Sequence, residues 1–313
     1  ACYWSAELVC SGHLSELWET LIALAGNNVG TSHPLVLIYF STRLKEFKKL
    51  INTVYAGRDL ELRNETIARN LFGEIVALLA VTPKTPSFTF MKPGKDSFTM
   101  IEINTRCSAP NANYVSIVWE EGDPIYFKQP LNEIIYQLTS KGGSVYNCCY
   151  WIEWFITFID LCKKNKLSVS IKPRYFIPIR SKHNSHPIWL VWQSLWTYAR
   201  QKPGKVHAMV IDSLLDMFCL RFRPSHIKKR KALFYTGVSY LTSAQTDLPA
   251  LLNAKDKAIV STAVEKINIV YSQIAKAERC PAPITHKSKS TTSCSLRRLE
   301  IMTDVDNASR VRI

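Results

Sequence analysis

From Val145 to Lys164 the chain contains neither Gly nor Pro, and its apolar residues recur at intervals of three and four: Cys148, Trp151, Ile152, Phe155, Phe158, Ile159 and Cys162. That is the period of an α-helix with one wide apolar face. The run is too long for a strand, which seldom exceeds about ten residues. It is also a poor membrane span, because Asn147, Glu153 and Asp160 interrupt it and charge is costly inside a bilayer. A helix of this kind must be covered by other helices.

The rest of the chain supplies them. Leu14 to Ala25 has helical spacing, and Thr42 to Tyr55 places Leu44, Phe47, Leu50, Ile51 and Val54 on one face. Pro34 to Phe40 is a short apolar run that reads as a buried strand or a helix start. Asn64 is placed to cap a helix that buries Ile67, Leu71, Phe72, Ile75, Val76 and Leu79. Helices resume at Leu131 to Thr139. Ile188 to Arg200 carries Trp189, Trp192 and Trp196 at i, i+3 and i+7. Val206 to Phe222, a helix opened by Pro224 and running to Leu241, and Lys255 to Lys276 complete the set. Between residues 82 and 130 stand six Pro. Phe88–Met91 and Ser97–Ile103 flank Lys92-Pro-Gly-Lys, which suggests an irregular β-hairpin, and Tyr114 to Trp119 is β-prone. From Pro281 the composition turns to Pro, Ser, Thr, Lys and Arg, as in a chain that folds only on a partner.

The expected fold is therefore mainly α: a multi-helix globular bundle with a short irregular β-hairpin connector and a disordered basic tail. Its parts are an N-terminal helical part (1–81), a Pro-rich connector (82–130), a basic helical part (131–280) and a flexible tail (281–313). The nine Cys are odd in number, form no CxxC and lie largely in apolar runs, so they read as free thiols in a reducing compartment. The first 26 residues contain Glu7, Glu16 and Glu19 and no basic opening, unlike a signal peptide. The expected location is intracellular: nucleus, cytoplasm or virion.

Charge is what points to a partner. Between Lys163 and Lys231 lie sixteen of the 40 Lys and Arg but only Asp212 and Asp216 of the 25 acids, a net +14 out of +15 for the chain. An excess so localised suits a polyanion better than a small substrate. Its densest part is Arg221, Arg223, Lys228, Lys229, Arg230 and Lys231, where helical spacing aligns Lys228, Lys231 and Tyr235 and sets Arg230 to one side. Such a helix can lie along phosphates. It can equally be a solvated face or a nuclear localisation signal. Lys172, Arg174, Arg180 and Lys182 form a second basic loop, with Tyr175 and Phe176 interleaved for stacking on bases or for an ordinary core edge.

Chemical motifs are absent. Gly26-Asn-Asn-Val-Gly30 lacks the Gly-Lys-Ser/Thr of a phosphate loop, and neither Gly-x-Gly-x-x-Gly nor Gly-x-Ser-x-Gly occurs. His183 and His186 have a metal-like spacing without the Cys or carboxylates to complete a set. Glu153 and Asp160 share a helix face, as an acid pair, as solvent-facing residues or as partners for the basic loop. Trp151, Trp154, Trp189, Trp192 and Trp196 read as core. Cys148 and Cys149 diverge around a helix, which predicts one buried and one partly exposed thiol. No cofactor or metal is expected, and the chain reads as non-enzymatic.

The stretches Leu60–Ile75 (LELRNETIARNLFGEI), Tyr150–Phe155 (YWIEWF), Trp189–Trp192 (WLVW) and Cys219–Phe222 (CLRF) followed by Lys228–Lys231 (KKRK) resemble a family of proteins of unassigned function from large nucleocytoplasmic DNA viruses of protists and algae. The resemblance spans roughly residues 35 to 280. It implies a viral setting and carries over no catalytic residue. The expected partner is nucleic acid through its phosphate backbone. The alternative is a minor capsid or scaffold role, with acidic subunits or membrane headgroups as partners and no transmembrane segment.

Overall fold

The computed structural model describes residues 1–53, 55, 59–179, 181–243 and 250–278. Residues Ala1–Tyr271 form one compact unit, which takes in the N-terminal part, the connector and the basic helical part as far as Tyr271; a second begins at Ser272. Arg180 and the basic tail after Pro281 lie outside the described residues.

In chain order the helices are α1 (Cys2–Cys10), α2 (Leu14–Leu24), α3 (Pro34–Asn52), the single turn α4 (Asp59–Leu62) and α5 (Thr66–Val81). They are followed by α6 (Met100–Arg106), α7 (Lys128–Leu138), α8 (Val145–Lys164), α9 (Ile188–Gln201), α10 (Val206–Phe218), α11 (Ile227–Arg230), α12 (Ala232–Thr242) and α13 (Ala254–Glu278). The mainly helical expectation holds. Pro34 opens α3 at its first turn, so the apolar run from 34 to 40 is a helix start and not a strand. The cap expected from Asn64 is not made, since Glu65 is the N-cap of α5 and no side chain caps it.

The β-hairpin is not present; no strand occurs among the described residues. Residues 83–94 form no regular secondary structure, and Thr85 N–H instead donates to the Asn28 carbonyl at 2.8 Å. The second arm is helical instead. Thr99 Oγ1 accepts the Glu102 N–H at 3.3 Å and caps α6. Thr99-x-x-Glu102 is a capping-box spacing, a sequence signal that outweighs the β-prone Phe-Thr-Met-Ile-Glu-Ile pattern. Tyr114–Ile117 is a 3₁₀ turn.

α7 and α12 pack along α8, with α9 alongside. Cys148, Trp151, Ile152, Trp154 and Phe155 are all buried. Cys149 is buried too, against the expectation of one exposed thiol, because α8 is covered on more than one side. Trp189 and Trp192 of α9 meet Phe218 of α10 and Phe234 of α12, with the Trp192–Phe234 ring centroids 4.7 Å apart. Four Trp are thus core, each stabilising the fold by about 2–3 kcal/mol on burial. Trp196 is half-buried, between Phe176 and the Arg200 guanidinium at 3.6 Å. A second cluster, Trp18, Phe40, Phe47 and Phe72, joins α2, α3 and α5.

The Gly26–Gly30 segment, a π-turn from Ala25 to Val29, is a packing device. A Cβ on Gly30 would come within 2.6 Å of Thr236 Cγ2, and Thr236 Oγ1 donates to the Gly26 carbonyl at 2.6 Å. These glycines let α12 approach the turn.

Candidate nucleic-acid interface

Arg223 is extended and Pro224 starts a 3₁₀ turn that runs directly into α11 and α12. Helical period turns Ile227, Leu233 and Phe234 inward. It also places Lys228, Lys231 and Tyr235 on one face, as the spacing predicts. That face meets α8. Lys228 Nζ lies 2.6 Å from Asp160 Oδ2, while Lys231 Nζ and the Tyr235 hydroxyl both donate to Glu153 Oε1. Glu153 and Asp160, two turns apart on α8, are therefore counter-ions of the basic helix. The cations were expected from the loop at 172–182 and come from α11 and the residue after it.

Arg230 is an interior residue, 2% exposed. Its guanidinium binds Glu19 and donates to the carbonyls of Phe218 and Leu220, each at 2.7 Å, and of Met217 at 3.4 Å. The Met217 carbonyl also accepts the Leu220 N–H at 3.4 Å, and those of Phe218 and Leu220 lie where α10 stops at Phe218 and the chain passes to Arg221 in the left-handed region (φ 44°). Arg174 is likewise 2% exposed. It pairs with Asp123 at 2.5 Å and Glu120 at 3.3 Å and donates to Gln193 at 2.6 Å, fastening the loop to the turn at 120–123. Beside it Tyr175 is exposed while Phe176 packs on Trp196. Neither arginine presents its charge to solvent.

The remaining candidates are exposed. Lys182, Arg221, Arg223, Lys228 and Lys229 all reach the surface, with Arg221 donating to Ser15 Oγ at 3.0 Å. Three of them converge. Lys182, Arg221 and Arg223 line a cleft of about 1150 Å³ with a fourth cation, Lys48 of α3. Among the described residues no carboxylate lines it, and its remaining wall includes Ile51, Pro178, Ile179, Leu220 and Phe222. Lys48 donates to the Asp216 carbonyl at 3.4 Å, and burial lowers its pKa against the opposing pull of Asp216. Lys48 is absent from the charge cluster read in the sequence because it lies on a helix far upstream. Only the packing of α10 against α3 brings it to this site. Its one sequence signal is a place beside Phe47, at the edge of an apolar helix face.

A smaller groove of about 380 Å³ holds Glu153 and Asp160 with Lys92, Lys164, Lys228 and Lys231. Neither His183 nor His186 lines it. His186 Nδ1 accepts the Ile188 N–H at 3.2 Å, and its pKa is pushed down to about 4 by burial and then by His183. Among the described residues no group of His, Cys, Asp and Glu is arranged to hold a metal ion, and no helix is long and apolar enough to cross a membrane. Comparison with known protein families, curated proteins and solved structures returned no match, so the cleft's own chemistry carries the functional argument.

Proposed function

We propose that this is a non-catalytic, intracellular, basic helical protein that binds nucleic acid through phosphate contacts at the cleft lined by Lys48, Lys182, Arg221 and Arg223. The carrying observation is the convergence of these four cations on one concavity, with no carboxylate among its described lining residues. Positive charge gathered in a concave, partly desolvated site concentrates polyanions. Lys229, exposed on α11, extends the positive surface. Lys228 and Lys231 contribute less, because Asp160 and Glu153 already balance them. Arg174 and Arg230 are supports of the fold in this reading and make no phosphate contact. In the viral setting that the resemblance implies, the partner is the genome or its transcripts.

Fluorescence anisotropy with labelled oligonucleotides across a salt series tests the reading. Four phosphate contacts give log K a slope against log salt of about −3.6 on duplex DNA or about −2.8 on a single strand. Lys182→Ala and Arg223→Ala each remove a bit under one unit of slope. No binding at low salt, or slopes unmoved by these variants, refutes the cleft.

A second reading, a minor capsid or scaffold component, draws on exposed apolar side chains such as Trp4, Met100, Ile101 and Ile125. Self-association measured by sedimentation, abolished by Ile101→Lys and unaffected by Lys182→Ala, would favour it.

A further inference from the structure

We infer that a second site lies where the segment 88–92, α8 and the α11–α12 helix meet, and that it takes a small nucleotide carrying more than one phosphate. This goes beyond the polyanion reading and does not depend on it.

Two grooves adjoin there, of about 270 and 380 Å³. Lys92, Glu153, Lys228 and Lys231 line both. Their joint space falls within the ~300–1,000 Å³ of small-molecule sites. The strip of chain that walls them is pinned at one end. Thr85 N–H donates to the Asn28 carbonyl at 2.8 Å, and Asn28 Nδ2 donates to the Thr85 carbonyl at 3.1 Å. From that anchor the strip reaches α12, where the ring centroids of Phe90 and Tyr235 are 4.7 Å apart.

The two grooves differ in chemistry. The smaller is lined by the rings of Phe88, Phe90 and Tyr235, with Asn27 beside them. Phe88 is half-buried, and aromatic surface of this kind stacks on a base while an amide pairs with a base edge. The larger has no aromatic residue among its described lining residues and gathers Lys92, Lys164, Lys228 and Lys231. Glu153 stands between them, 5% exposed. Lys231 and Tyr235 both donate to its Oε1, so Oε2 keeps its capacity to accept. A buried ion pair stabilises a fold little more than apolar packing does, so stability alone does not account for a carboxylate here. A carboxylate placed between a base and phosphates is suited to accept a ribose hydroxyl.

Charge fits the same ligand. Five Lys line the two grooves against Glu153 and Asp160, an excess of three positive charges. Lys228 and Lys231 are engaged by those two acids. Lys92, Lys164 and Lys229 are exposed and form no ion pair among the described residues. Phosphate oxygens would give these three cations charge-assisted hydrogen bonds.

Isothermal titration calorimetry of the full chain with ADP, adenosine, inorganic pyrophosphate and 2′,3′-dideoxy-ADP tests the inference. ADP should bind at least about tenfold more tightly than adenosine or pyrophosphate, because each of those fills one groove. The dideoxy analogue should bind about fivefold more weakly than ADP. Lys92→Ala and Lys164→Ala should each weaken ADP about tenfold and leave adenosine unchanged. Phe88→Ser should weaken ADP about tenfold and leave pyrophosphate unchanged, with circular dichroism as the check on folding. Should Phe88→Ser fold poorly, the comparison of ADP with pyrophosphate on the parent protein decides the same point. Lys182→Ala should not change ADP affinity, and Lys164→Ala should not change the salt slope for oligonucleotides, so the two sites fail separately. Pyrophosphate binding as tightly as ADP, ADP affinity lost in Lys182→Ala, or no binding of ADP overturns the inference and leaves the cleft reading standing. Equal affinity for ADP and its dideoxy analogue overturns the ribose contact with Glu153.

Discussion

Arg230 separates a binding role from a structural one most sharply. Arg230→Ala removes a guanidinium that serves Glu19 and three carbonyls at the end of α10. Taking one partner from a buried ion pair costs about 3–5 kcal/mol, because the other charge is left uncompensated. The Glu19 side chain is 28% exposed, so water recovers part of that loss and the ion-pair cost falls near the lower limit. The carbonyls of Phe218 and Leu220 are less accessible to solvent and add to it. A net loss of about 3–4 kcal/mol follows, which for a unit of this size lowers Tm by roughly 6–16 °C. Urea unfolding followed by far-UV circular dichroism measures it. Arg223→Ala and Lys229→Ala, at exposed positions, should stay within about 0.5 kcal/mol of the parent. Oligonucleotide binding by Arg230→Ala, measured below its unfolding transition, should keep the parental salt slope. A Tm within 2 °C of the parent together with a slope reduced by about one unit would refute the structural assignment and return Arg230 to the phosphate-binding set.

Other consequences are as direct. The pKa of His186 is depressed to about 4 from an ordinary 6.5, so the unfolded chain binds the extra proton first as pH falls. Stability contributed by the neutral ring is complete above pH 6.5 and is lost between about 6.5 and 4, by up to about 3 kcal/mol. Denaturation midpoints across that window should flatten in His186→Gln. Gly30→Ala should cost about 1–3 kcal/mol from the clash with Thr236, whereas Gly94→Ala, with open space at its Cβ, should be close to neutral in thermal unfolding. Iodoacetamide followed by mass spectrometry should leave Cys148, Cys149 and Cys219 unmodified in the native protein, since all three are buried and burial raises each thiol pKa. The partly exposed Cys2 and Cys10 should react before these three.

Helices with a strong period were legible residue by residue. The face of α8, the tryptophans of α9 and the Pro-initiated turn before α11 follow from spacing and from the missing N–H of proline, and both are local properties of the chain. The hairpin failed at the same level. Thr99 caps α6 with a bond to the Glu102 N–H that forms within one turn, whereas a hairpin from 88 to 103 needed pairing between separate segments.

The site divides along a different line. Sequence alone determined how much positive charge there is and that it clusters, because charge is additive along a chain. It could not determine which charges are spent inside the fold. Lys228, Lys231, Arg230 and Arg174 find their carboxylates on other elements: α8, α2 and the turn at 120–123. Those pairings exist only once the elements pack. The same packing brings Lys48 across from α3 to face Lys182, Arg221 and Arg223. Coulombic pairing acts over a few ångströms in space and takes no account of separation along the chain, so which cations remain available to a partner was decided by the tertiary structure.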